Sequence, residues 1–119
     1  MKIAFTVAGT DMSAAIDPRF GRCFGFLIYN LDDDTFAMHE NKNREAAHGA
    51  GIQSAESLVR SGAQAVITGQ CGPKAFQVLR TAGIKIFATT ATGVADALTL
   101  YRQGRLPEIS APHAQGRGR

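Results

Sequence analysis

The sequence predicts an α/β domain: a mixed five-stranded sheet flanked by helices, in the order β-β-β-α-β-α-β-α. Three observations carry this expectation. The chain opens on an alternating apolar run, Lys2 to Ala8. Two β-rich runs, Cys23 to Leu31 and Thr35 to Glu40, then flank Asp32-Asp33-Asp34 and read as a hairpin. Beyond residue 50, short apolar runs alternate with stretches of helical period, the pattern of β-α units.

Each element has its own local reason. Lys2 to Ala8 reads as a buried strand, and Gly9 to Arg22 as a long loop rich in Gly, Asp, Ser and Pro. A loop of that length in a small domain is commonly functional or mobile. The aspartate run at residues 32–34 reads as a solvated hairpin tip, because a calcium loop needs alternating ligands and a distant bidentate glutamate. Asn41 to Gly49 is a polar loop. Ile52, Ala55, Leu58 and Val59 then recur at helical spacing, and Gly62 ends that helix. Ala65 to Thr68 is a short strand. Pro73 suits a first helical turn, Ala75, Phe76 and Leu79 continue the apolar stripe, and Gly83 stops it. Ile84 to Ala88 is the last strand. Thr92 reads as the N-cap of a third helix carrying Val94, Ala97, Leu98 and Tyr101, ended by Gly104. The expected organisation is one domain over residues 1–106 and a disordered tail over 107–119, with His113 in the tail.

The bulk numbers exclude several classes. At 119 residues and 45% hydrophobic content, the chain suits one domain with a real core. Net charge is +3, and Arg117 and Arg119 in the tail supply two of those charges. Without tryptophan or a basic stripe interleaved with aromatics, nucleic-acid binding is not expected. No apolar run is long enough to cross a bilayer, and the N-terminus reads as a strand rather than a leader. Two cysteines are too few for a secreted disulfide scaffold. These features together predict a cytoplasmic protein with available thiols. No feature specifies an oligomeric state.

The segment Asp17-Pro18-Arg19-Phe20-Gly21-Arg22-Cys23-Phe24 concentrates chemistry. Two guanidiniums suit an anion, glycine permits close backbone approach, and a thiol is a soft metal ligand. If the first, fourth and fifth strands run parallel, the loops at 9–22, 41–49, 69–72 and 88–92 gather at one edge, where open α/β sheets bind ligands. Cys23, His48 and Cys71 then face a common edge and form a candidate metal-ligand set. Cys71 precedes Gly72-Pro73 at an expected helix N-terminus, where the dipole favours a thiolate. His48 precedes Gly49-Ala50-Gly51, which lacks the third glycine of a dinucleotide fingerprint. Two thiolates and one imidazole do not close a structural zinc site, but they suit a preformed sulfur cluster with arginines balancing its charge. An alternative is a thioredoxin-like redox protein using Cys71-Gly72-Pro73-Lys74, although the resolving cysteine of that motif is missing. A third is an interaction module without a ligand.

The ordered set Asp17-x-Arg19-Phe20-Gly21-Arg22, Glu40-Asn41, His48-Gly49-Ala50-Gly51-Ile52, Val66-Ile67-x-Gly69, Gly72-Pro73-x-Ala75 and Gly83-Ile84 resembles the dinitrogenase iron–molybdenum cofactor biosynthesis family. The resemblance spans Met1 to about Leu106. It implies a ribonuclease-H-like fold and non-catalytic binding or delivery of an iron–sulfur or molybdenum-containing cluster between donor and acceptor proteins. By position it implies cluster-facing roles for Asp17, Arg19, Phe20, Gly21, Arg22, Gly49, Gly51, Gly69 and Gly72. It does not supply the carboxylate cluster of a two-metal nuclease.

Overall fold

The computed structural model describes residues 1–112. Eight elements follow the expected order: β1 (Lys2–Val7), β2 (Gly25–Asn30), β3 (Thr35–Glu40), α1 (Ala50–Arg60), β4 (Ala65–Thr68), α2 (Pro73–Thr81), β5 (Lys85–Ala88) and α3 (Val94–Arg102). The strands form one sheet in the order β3-β2-β1-β4-β5. β1, β4 and β5 are parallel neighbours, and the β2–β3 hairpin pairs antiparallel with β1. No helix among the described residues is long and apolar enough to cross a membrane.

Two cores follow from strand alternation. Ala4, Phe26, Ile28, Val66 and Ile86 meet Ala55, Leu58, Ala75, Phe76 and Leu79 under α1 and α2. Their sequence neighbours Ile3, Phe5, Val7, Leu27 and Ile67 face the other way, against Val94, Ala97 and Leu98 of α3. β1 and β4 are therefore apolar on both faces, as strands inside a covered sheet must be.

Three local expectations are corrected. The buried stripe of α1 is Ala50, Ser54, Ala55 and Leu58, so the helix is rotated from the expected Ile52/Val59 face and Val59 is 37% exposed. A serine sits in the buried stripe because it has polar partners there, described below. The N-cap of α3 is Gly93 instead of Thr92, with the Val94 N–H donating to the Ala14 carbonyl (3.1 Å). Pro107–Ile109, expected to belong to the tail, is paired with β5. Ala88 N–H donates to Pro107 O (3.0 Å) and Ile109 N–H to Ile86 O (2.7 Å), so Pro107–Ile109 lies along the outer edge of β5. Ile109 packs on the α1/α2 core, and that buried contact holds a segment whose composition reads as loop. Residues 113–119, including His113, lie outside the described residues.

Candidate functional site: a glycine-lined rim at the carboxyl edge of the parallel strands

The 9–24 loop is laced across the edge where β1, β4 and β5 end. Ala8 N–H bonds Ala15 O, Asp17 N–H bonds Thr6 O (2.8 Å), and Ile16 N–H bonds Thr92 O (2.9 Å). Thr6 Oγ1, fully buried, donates to Asp17 O (2.7 Å) and shares a second hydrogen bond with the Thr68 hydroxyl (2.9 Å). Pro18–Phe20 zips to the β4–α2 turn: Gln70 N–H donates to Pro18 O (2.7 Å) and Phe20 N–H to Gln70 O (3.2 Å). The loop is thus ordered by backbone bonds, which tie it to β1 and to two other connections.

Glycines make this approach possible. A Cβ on Gly69 would lie 2.7 Å from Pro18 Cα, and one on Gly21 would lie 2.8 Å from Gly51 Cα. The 17–22 segment consequently presses on the first turn of α1 and on the turn before α2. Both helices begin with glycine, Gly49 at φ 73° and Gly72 extended. Neither start has a side-chain cap or an acidic residue in its first turn. Unsatisfied N–H groups and the positive end of the helix dipole make such starts receptive to anions.

The side chains expected at the site separate into groups. Arg19 and Arg22 are exposed on the rim. Arg19 grips Asp17 with Nε to Oδ1 and Nη2 to Oδ2, both 3.2 Å, while Asp17 is 7% exposed. Asp17 therefore turns inward as the counter-charge of Arg19. Phe20 is also inward, buried with its ring centroid 5.5 Å from that of Phe26. Arg22 donates from Nη1 to the carbonyls of Arg44 (2.7 Å) and Ala46 (3.0 Å), clasping the 41–49 loop to the 17–24 loop. Gly49 and Gly72 cap the helices, and Gly21, Gly51 and Gly69 line the close contacts.

The expected metal set Cys23, His48 and Cys71 does not assemble. Among the described residues no three His, Cys, Asp or Glu side chains form a metal-holding group. Cys23 and Cys71 are fully buried in the α1/α2 core, whereas His48 is exposed on its loop. The loop before β2 and the turn before α2, which bring the thiols to this end, also point them into the apolar layer. Cys23 Sγ lies 3.2 Å from Phe20 O and 3.8 Å from Asn41 Nδ2. Burial, and secondarily the Asp17 carboxylate, pushes the Cys23 thiol up to about 12. Burial pushes Cys71 up to about 12 as well. The helix start does not make Cys71 a thiolate, and a redox nucleophile requires the opposite shift.

The raised thiols fix a pH dependence. Their ordinary value is near 9 and their folded value about 12, so the neutral form belongs to the fold. The associated stability is fully present below pH ~9 and is lost progressively as pH rises toward 12. Urea midpoints measured on either side of this range should fall with increasing pH. A thiol-reactive chromophore should label neither cysteine until the chain unfolds. Rapid native labelling or a flat alkaline profile would contradict this account.

Sequence reasoning missed the polar hub under the rim. Asn41 is 2% exposed. Its Nδ2 donates to Gly21 O (3.2 Å) and Cys23 O (3.1 Å), and its Oδ1 accepts from Asn43 N–H (3.2 Å) and Ser54 Oγ (3.0 Å). One side chain thus joins the arginine loop, the 41–49 loop and α1. Arg44 closes the outer side, pairing with Glu40 (3.1 Å) and lying over the Phe24 ring. The available signal was Ser54 within an otherwise apolar helix face.

Sheet, helix starts and arginines together define a small α/β protein whose carboxyl edge carries two glycine-capped helix starts and two exposed guanidiniums. The chain belongs to the dinitrogenase iron–molybdenum cofactor family, whose sequence signature matches residues 1–104. The orange protein of Desulfovibrio gigas, solved in its apo form, is 36% identical and superposes with a TM-score of 0.90 over 94% of this chain and 95% of that one. A Thermotoga protein described as a NifB candidate is 30% identical, with a TM-score of 0.85 over 97% and 98% of the two chains. An uncharacterised protein of Methanocaldococcus jannaschii is 31% identical over 112 residues, covering 92% of each chain.

Proposed function

We propose that this chain is a small non-catalytic cytoplasmic carrier. Its cargo is a preformed anionic cluster of the iron–sulfur or molybdenum-containing type, taken from a donor protein and passed to an acceptor. We read its strand order as ribonuclease-H-like, with the cargo rim at the carboxyl edge. The observation that carries the proposal is the pair of uncapped helix starts, α1 and α2, set against Gly21 and Gly69 beside Arg19 and Arg22. Family membership and likeness to a protein solved in an apo form support the same reading. With both thiols buried, the cargo brings its own sulfur, and the rim supplies N–H dipoles and guanidinium charge.

Anaerobic reconstitution with iron, sulfide and molybdate, followed by absorption spectra and metal counting, tests this. Coloured, metal-loaded protein is expected. Arg19→Ala with Arg22→Ala should weaken loading by at least about tenfold, roughly the loss of one good charge contact. Cys71→Ala should leave loading intact. Metal-free protein, or loading that depends on Cys71, would sink the proposal. Read as free surface charges, the two arginines would affect loading with stability nearly unchanged. The structure adds a folding penalty, because Arg19→Ala strands a buried Asp17 carboxylate and Arg22→Ala releases the 44–46 carbonyls. The double variant should therefore also melt earlier than the wild type, and loading is to be compared below that transition.

A further inference from the structure

Among the described residues, the sheet covers one of its two edges and leaves the other open. β5 is shielded by Pro107–Ile109. β3 ends the strand order on the far side, and its six residues pair with β2 in unbroken register from Thr35 to Glu40. It contains no proline, lysine or arginine, the residues that usually blunt an exposed edge. Five of its six residues are exposed. Phe36 is 42% exposed and shares a face with Met38, since the two oppose Tyr29 and Leu27.

Backbone direction along β3 follows from one bond. Asn41 N–H donates to Phe24 O, so odd positions turn their N–H and C=O groups toward β2. Phe36, Met38 and Glu40 turn theirs outward. We propose that this edge pairs with β3 of a second copy, antiparallel about a twofold axis at Met38, giving a continuous ten-stranded sheet.

Charge selects that register. A twofold normal to the sheet keeps like faces together, so a residue meets one of the same parity. Centring on Met38 sets Phe36 against Glu40 and Asp34 against Lys42. Centring on Ala37 preserves equal strand overlap but sets Asp34 against Glu40, two carboxylates. Centring on His39 halves the overlap. The Met38 centre alone combines a long ladder with opposed charge beyond its ends. The two rims then lie at opposite ends of the joined sheet, so pairing does not depend on the cargo reading.

Sedimentation of the full chain from micromolar to millimolar concentration tests the pairing. A concentration-dependent dimer is expected. Phe36→Glu faces Glu40 and should weaken it at least about tenfold, the effect of one unfavourable charge contact. Phe36→Lys alters the same exposed position with the opposite sign and should preserve the dimer. Under oxidation Met38→Cys should cross-link to itself more readily than Ala37→Cys, its Cα atoms being about 5.5 Å apart across the axis. Circular dichroism checks that each variant is folded. A monomer at every concentration overturns the proposal. So does a dimer indifferent to the sign at position 36, or preferential cross-linking through position 37.

Discussion

Gly69→Ala is expected to destabilise the protein by about 3 kcal/mol, lowering its melting temperature by roughly 10 °C. The added methyl would sit 2.7 Å from both Cα and Cβ of Pro18 and 3.0 Å from Pro18 O. Those atoms cannot swing aside as a long side chain would. Pro18 is fixed by its ring and by the 2.7 Å bond from Gln70 N–H to its carbonyl. Relief requires the 17–22 segment to lift from the β4–α2 turn, which breaks that bond and the Phe20-to-Gln70 bond together. Arg19 and Arg22 ride on this segment, so cargo loading should fall with stability. Denaturant unfolding measures the first effect and metal counting at low temperature the second. An alanine variant as stable as the wild type would show that the loop is not wedged against Gly69.

Asn41→Leu is expected to cost about 4 kcal/mol, more than its change in volume would suggest. Leucine is close in size but offers no hydrogen bond. Gly21 O and Cys23 O lose their donor, and Asn43 N–H and Ser54 Oγ lose their acceptor. Ser54 Oγ retains Gly21 O at 3.3 Å, which limits the loss at that end. Asn41→Asp should be comparably damaging, because it keeps the acceptors but turns a buried carboxylate toward two carbonyls. A double-mutant cycle of Asn41→Leu with Ser54→Ala should couple positively, since both remove one shared network. Strict additivity would mean the hub is not a unit.

The fold was largely legible because its signals are local. Period-two runs marked the strands, an aspartate run marked the hairpin, and Pro73 and the glycines after each helix marked the helix ends. The convergence of loops at one edge also followed, because parallel β-α units impose it. The rotation of α1 was not legible. Ser54 looked polar, hence outward, until Asn41 and Gly21 supplied partners from distant loops. Likewise Pro107–Ile109 had no strand pattern of its own, and the edge of β5 gave it one.

What the sequence alone determined was the topology, the rim and the residues that reach it. Whether those residues face solvent or core was decided by tertiary structure. Cys23, Cys71, Phe20 and Asp17 all reach the expected edge, yet each turns inward, while Arg19, Arg22 and the glycine-led helix starts stay at the surface. The reason is physical. Position along a chain fixes which end of a sheet a residue visits, but its orientation depends on which surfaces close over it. Those surfaces come from segments tens of residues away.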